Sequence, residues 1–361
     1  MYNIDSHKII FHPLRVAEWV KGHGHWNKSK SVYPIYAEIS PVGVCNHRCI
    51  FCALDYIGYK NRSLDKNILK KRLTEMSQLG LKSVMFAGEG EPALWKPLPE
   101  VLDHCAKVGI DTALTTNMAL FNGKNADNFL RNCSWIKTSI NAGTKDTYAL
   151  IHRTKPSDFD RVMDNFKICV ELRRKRKYSC TLGAQMLLLP ENVQEALLLA
   201  EKLKKIGIDY LVIKPYSQHL YSLTRKYEKL DYRNYFHLEK ELESLDDHNF
   251  NVIFRINTMN KLLEKKKSYQ RCCSTPFFWT YIMSDGSVYG CSAFLGDKRF
   301  CYGNINELSF KQIWEGPKRK KNYHFVRDKL SVDECRKNCR MDEINRYLWK
   351  LKNPDEHVNF I

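Results

Sequence analysis

Residues 45–52 read Cys-Asn-His-Arg-Cys-Ile-Phe-Cys, a C-x3-C-x2-C run in which Phe51 directly precedes the third thiol. Three thiols so closely spaced confine the chain to a compact loop around one soft centre. Thiolate sulfur is what iron–sulfur clusters select. Three of them around a cubane leave one iron with no protein ligand. A structural zinc site would need a fourth donor, and His47 lies inside the loop, where it is badly placed to close a tetrahedron. The chain also carries 13 cysteines and no apolar segment after a basic start. That combination argues against export and a disulfide framework, and for metal binding in a reducing cytoplasm.

What surrounds this loop is regular. With 361 residues the chain is long enough for one large domain and a smaller one. Tyr36–Ile39 alternates and is strand-prone, and it runs straight into the cysteine loop. A helix follows, with Ser63 or Asp65 as its cap, a stripe of Ile68, Leu69, Leu73, Met76 and Leu79, and Gly80 as its stop. The unit then recurs. Strands are expected at Ser83–Ala87, Thr112–Thr115, Trp135–Ser139, Cys180–Leu189 and Asp209–Lys214, each preceded by a helical segment. Asn192 with Glu195 three residues on predicts a capping box. Regular repetition of strand and helix implies a parallel sheet curved by right-handed crossovers, an α/β fold, with a barrel favoured over a doubly wound sheet. Chemistry in a barrel collects at the C-terminal ends of the strands, where the cysteine loop sits.

Two further features carry chemistry. Gly88-Glu-Gly-Glu-Pro92 follows the second strand, placing a carboxylate, Glu91, in a turn whose glycines permit close approach of a ligand. Near the C-terminus, Cys273, Cys291, Cys335 and Cys339 flank a predicted hairpin with an Asp285-Gly286 turn, which brings two of them to one end. Four thiolates suit an iron–sulfur cluster or zinc. Cys272 and Cys301 are spare; Cys105, Cys133, Cys169 and Cys180 read as inert core thiols.

The first cysteine motif resembles that of the radical SAM superfamily. The resemblance implies a partial (β/α)6 barrel and a 4Fe–4S cluster whose open iron is chelated by S-adenosylmethionine. Reductive cleavage of that molecule yields a 5′-deoxyadenosyl radical. Glu91 matches the glutamate of the family's GGEP motif, which takes the methionyl amino group; Glu89 stands where a glycine is usual. Thr115-Thr116-Asn117 is similar to its TTNG segment, and Ser139-Ile-Asn141 to its SIDG segment, so Asn117, Ser139 and Asn141 are implied to contact S-adenosylmethionine. Arg153 lies just beyond, as a weaker candidate for the carboxylate. The second set resembles the auxiliary-cluster domains called SPASM and twitch. It implies a second 4Fe–4S cluster, held by Cys273, Cys291, Cys335 and Cys339. Nothing cysteine-bearing follows Cys339, which suits the shorter twitch form. The implied organisation is an N-terminal extension at 1–33, the barrel at 34–215, a connector and lid at 216–270, and a cysteine-rich auxiliary domain at 271–361.

A second redox centre accompanies oxidations and epimerisations in this subgroup. The expected reaction is dehydrogenation of a small polar molecule, such as a sugar, cyclitol or nucleotide-linked alcohol. Epimerisation, maturation of a ribosomally made peptide and RNA modification or RNA binding are the alternatives. A net charge of +18 favours acidic partners, including a flavodoxin- or ferredoxin-type electron donor. The basic runs Arg173–Lys177, Lys265–Lys267 and Lys318–Lys321 are expected as solvated faces and helix ends, and nucleic acid is not the expected partner. No run approaches the roughly 18 apolar residues of a membrane span.

Overall fold

The computed structural model describes residues 6–22, 24–264 and 266–360, so that Lys265 of the second basic run lies outside the described residues. Parallel strands follow one another in chain order: β1 Tyr36–Ile39, β2 Ser83–Phe86, β3 Asp111–Thr116, β4 Cys133–Ser139, β5 Thr181–Leu188, β6 Tyr210–Pro215 and β7 Asn251–Phe254. Helices on the outer face join them. This is the α/β partial barrel that the repeating pattern predicts. The sheet then continues beyond β1 through β8 Trp279–Ile282, β9 Ser287–Tyr289 and β10 Cys301–Asn304, in the order β10-β9-β8-β1-β2-β3-β4-β5-β6-β7. Thus β7, from the connector segment, where Val252–Ile256 is the expected strand, and β8, from the cysteine-rich segment, are both barrel-sheet strands. Each covers an edge that would otherwise present unpaired backbone groups. The Asp285-Gly286 turn forms as expected, with Gly286 at φ +86°.

One face of every barrel strand is a continuous apolar layer against the helices. Ile136, Leu182, Leu211 and Ile213 meet Leu69, Leu73, Leu102 and Phe129 there, each 0–2% exposed. Asp65 caps the helix Lys66–Gln78, its carboxylate accepting from the N–H groups of Asn67 and Ile68 at 2.8 Å. The capping box expected at Asn192 and Glu195 is absent. Glu195 instead takes the N–H groups of Gly143 (2.7 Å) and Thr144 (3.0 Å), at the start of the helix Lys145–His152. Asn192 donates to the carbonyls of Asn141 and Leu187, both at 2.9 Å. Both side chains serve neighbouring segments rather than their own helix, which begins only at Ala196.

The N-terminal helix Pro13–Gly22 packs on the C-terminal part of the chain, Trp19 lying against Phe277 and Phe278. One member of the last basic run departs from the solvated-face expectation. Arg319 is fully buried, stacked 4.2 Å from the Trp314 ring centroid, and donates to the carbonyls of Pro276 and Trp314.

Candidate functional site

The cysteine loop leaves the end of β1 and is fastened on three sides. Glu91 N–H donates to the carbonyl of Val44 at 3.0 Å. The amide of Asn117, at the end of β3, donates to the Asn46 side chain at 2.8 Å. The N–H groups of Arg48 and Ile50 meet the carbonyls of His152 (3.1 Å) and Ile151 (2.9 Å), at the end of a helix. Gly90 permits the first contact, since a Cβ there would lie 2.1 Å from the Val44 carbonyl. Cys45, Cys49 and Cys52 are all partly buried, and burial together with their neighbours' charge raises the Cys49 thiol well above its ordinary range. Such grouped, desolvated thiols favour a metal that takes them as thiolates.

Glu91 is 3% exposed. Its carboxylate accepts from Thr116 Oγ1 (2.6 Å), Asn117 N–H (2.7 Å) and Ala93 N–H (3.1 Å). Burial raises its pKa, and these donors offset the rise only in part. Its partners are all neutral, so the carboxylate is suited to an ammonium group. Glu89, standing at the family's glycine position, does something else. It locks the turn to the barrel by accepting from Arg62 Nη2 (2.9 Å), Ser284 Oγ (2.8 Å) and Ser284 N–H (3.0 Å).

Asn141 reaches the same loop through His152. Its backbone N–H and side-chain amide both meet His152 Nε2 at 3.3 Å, while Nδ1 of that ring lies 3.3 Å from Cys49 Sγ. A backbone amide can only donate, so Nε2 is the acceptor and the ring proton sits on Nδ1, aimed at the sulfur. Burial, and His47 beside it, keep the ring neutral by depressing its pKa strongly. His152 was not singled out in the sequence; a lone histidine at a helix end carries no periodic signal. Together His47, Cys49 and His152 place ligand atoms within 4.8 Å of one another, though His47 Nε2 already faces Asp158 Oδ2 at 3.4 Å. Ser139 ends β4 in register with Gln185. Arg153 is exposed, in left-handed backbone at φ +47°.

The second thiol group differs from expectation at one position. Cys272, Cys291, Cys335 and Cys339 line a single cavity walled by Tyr269, Phe294, Phe300, Leu330 and Met341. Cys273 faces away and packs with Trp19, Phe277, Tyr323 and Leu348. Asn345, on the helix Asp342–Lys352, fixes this by accepting the N–H groups of Cys273 and Ser274 at 2.8 Å each. Adjacent residues of an extended segment point to opposite sides, so turning Cys273 outward turns Cys272 in. The loop between the last two cysteines closes onto the barrel. Arg336 donates to Ser217 (2.6 Å to its carbonyl) beyond β6, and Arg340 pairs with Glu38 on β1.

Comparison with known proteins identifies the two domains in which these thiol groups lie. The Radical SAM superfamily is matched over residues 39–203, and the iron-sulfur cluster-binding domain SPASM over residues 272–340. The chain belongs to the radical SAM superfamily and carries a SPASM domain. Its core binds a 4Fe–4S cluster and S-adenosylmethionine, and the SPASM domain binds an additional iron–sulfur cluster. That combination of domains is that of an enzyme, and radical SAM enzymes need an electron donor.

Its curated relatives include an S-adenosylmethionine-dependent nucleotide dehydratase from Lacinutrix mariniflava, 30% identical over 107 residues, 27% of this chain and 21% of that protein. A GTPase Obg from Brachyspira hyodysenteriae is 26% identical over 145 residues, 38% of this chain and 21% of that protein. The chain thus spans about a fifth of the length of the curated relatives it matches. Among solved structures, Streptococcus suis SuiB bound to precursor peptide SuiA superposes with a TM-score of 0.65 at 20% identity, covering 82% of this chain and 67% of that one. The protein anSMEcpe with bound AdoMet gives 0.60 at 20% identity, covering 86% and 90%. At these identities the likeness is one of fold. Among the described residues no helix is long and apolar enough to cross a membrane.

Proposed function

We propose that the enzyme is an oxidoreductase that dehydrogenates a secondary alcohol of a small polar substrate, such as a sugar, a cyclitol or a nucleotide-linked compound, in a reducing cytoplasm. The observation that carries this reading is the second four-thiol cavity, whose closing loop reaches the barrel through Arg336 and Arg340. An electron acceptor there lies beside the space enclosed by the strands. The partial similarity to a nucleotide dehydratase supports a nucleotide-linked substrate.

In this reading Cys45, Cys49 and Cys52 hold the first cluster, and Cys272, Cys291, Cys335 and Cys339 the second. When bound, the first cluster and S-adenosylmethionine supply a 5′-deoxyadenosyl radical that removes one hydrogen atom from the alcohol carbon. The hydroxyl proton and one electron must then leave, completing a two-electron oxidation. Glu91 receives the methionyl ammonium, and Thr116 and the Asn117 N–H hold the carboxylate in place for it. Asn117, Ser139 and Asn141 face the remaining polar groups of the cosubstrate. Assigning Cys272 to the second cluster removes it as a hydrogen donor for epimerisation, leaving Cys273 and Cys301 as the spare thiols outside the cavity. A flavodoxin- or ferredoxin-type protein is the matching electron source for a chain of charge +18.

The test is anaerobic turnover in deuterated water with a panel of sugar phosphates, cyclitols and nucleotides. Oxidised product and 5′-deoxyadenosine are expected one to one. Deuterium returned to the abstracted carbon would instead make the enzyme an epimerase.

A further inference from the structure

The inner face of the barrel is more basic than a site for a neutral alcohol needs to be. On β4, Ile136 and Thr138 are fully buried, Ile136 in the layer under the helices, so alternation turns Trp135, Lys137 and Ser139 to the inside. On β6, Leu211 and Ile213 belong to that same layer, which turns Tyr210, Val212 and Lys214 inward. The register agrees, pairing Lys137 with Gly183 and Gly183 with Tyr210. Gly183 contributes no side chain between them; a Cβ there would lie 2.1 Å from the Tyr210 ring. Trp135 floors the space, with Lys137 Nζ 5.5 Å from its ring centroid.

Basic side chains gather around this space. Lys137 and Lys214 feel each other and also Arg255 and Arg340, and Lys214 feels Arg336 as well. The carboxylate whose field reaches Lys137 is Glu38, and that one is paired with Arg340. Neither lysine has an acidic partner among the described residues. Burial first, and these cations second, depress the Lys137 ammonium to about 8 and hold that of Lys214 well below its ordinary range. Holding like charges together out of water destabilises the fold unless a counter-charge arrives. An arginine fork matches carboxylate and phosphate alike, whereas compact ammonium groups act as point charges and so favour the more highly charged anion.

We propose that Lys137 and Lys214, projecting from β4 and β6 into the barrel, bind a phosphoryl group of the substrate, so that the molecule oxidised is a phosphate ester or a nucleotide rather than a neutral sugar or cyclitol. This rests on the radical SAM oxidation proposed above and narrows its substrate class. The phosphoryl group anchors one end of the molecule against the lysines, leaving the other free to present a C–H bond toward the cysteine loop at the strand ends.

The experiment uses anaerobically reconstituted holoenzyme saturated with S-adenosylmethionine, with pyrophosphate as the probe. Lys137→Gln, Lys214→Gln and, as a control for general surface charge, the exposed Lys320→Gln are compared by calorimetry and thermal melting. Pyrophosphate is expected to bind the unmodified protein and to raise its melting temperature. Either barrel variant should bind it at least tenfold more weakly, and Lys320→Gln should not. Each barrel variant alone should melt at or above the unmodified protein, since a buried uncompensated charge has gone, which separates lost binding from lost folding. Reductive cleavage of S-adenosylmethionine, followed as 5′-deoxyadenosine in the same samples, should be unchanged in Lys320→Gln. Unchanged pyrophosphate affinity in the barrel variants, an equal loss in Lys320→Gln, or preference for succinate or an acidic peptide over pyrophosphate would overturn the assignment. Absence of 5′-deoxyadenosine from the unmodified protein would overturn the radical SAM reading instead.

Discussion

The two thiol groups solve the same problem by opposite routes. The first is one loop, Cys45 to Cys52, supplied by consecutive residues and fastened from outside by Glu91, Asn117 and the end of the helix Lys145–His152. The second is assembled from three separated segments around a cavity, with Asn345 setting which of two adjacent cysteines faces in. A local site can be read from its spacing. A composite one depends on side-chain direction, which spacing does not contain.

The sharpest way to break this comparison is to remove each group in turn. Replacing Cys45, Cys49 and Cys52 with Ala should abolish cleavage of S-adenosylmethionine and lower iron from about eight to about four per chain, if each group holds one 4Fe–4S cluster. Cys272→Ala should also lower iron to about four, by loss of the other cluster, while leaving uncoupled cleavage measurable. Cys273→Ala should keep all of the iron and lose only packing. If Cys273→Ala loses iron and Cys272→Ala keeps it, Asn345 does not set the direction, and the sequence-based assignment of Cys273 returns.

A smaller effect separates the loop from its supports. Glu91→Gln keeps the shape of the side chain and removes its charge, and should weaken S-adenosylmethionine binding by roughly 1.5–3 kcal/mol while preserving the cluster spectrum. Calorimetry showing unchanged affinity would detach Glu91 from the amino group. Because the carboxyl is raised by burial, binding in the unmodified protein should also fall as pH drops through that raised pKa, and the Gln variant should lose this dependence.

Much of the barrel was legible because strand alternation, helix stripes and stop glycines are local. The predicted Tyr36–Ile39 strand matches β1 residue for residue, and Asp65 caps its helix. Misreadings arise where side chains leave their own element. Asn192 and Glu195 have the spacing of a capping box but satisfy backbone around residues 141–144 and 187–189. Arg319 sits in a lysine-rich run yet is buried against Trp314. β7 and β8 belong to the barrel sheet because open edges attract strands, whatever lies between them in sequence. His152, Glu89 and the inward lysines carry no spacing signal at all, since their partners are far away along the chain.

The smallest effect bears on how finely the local loop is tuned. His152 presents its Nδ1–H to Cys49 Sγ at 3.3 Å, and Asn141 holds the opposite nitrogen as an acceptor. A hydrogen bond to a cluster thiolate favours the reduced, more negative state. Substituting His152→Phe retains an aromatic ring stacked against Tyr148 and removes the donor to sulfur together with the acceptor that Asn141 uses. The reduction potential of the first cluster should then fall, by up to about 40 mV if one net hydrogen bond is worth about 1 kcal/mol. Cleavage of S-adenosylmethionine by a weak reductant should slow, while a strong reductant restores it. Among the described residues the second cluster has no histidine in its cavity wall, so its potential should stay where it was. A titration followed by electron paramagnetic resonance in which both potentials move together would mean that the substitution disturbed the fold rather than the sulfur. One in which neither moves would make His152 a packing residue whose Nε2 serves only as an acceptor for Asn141.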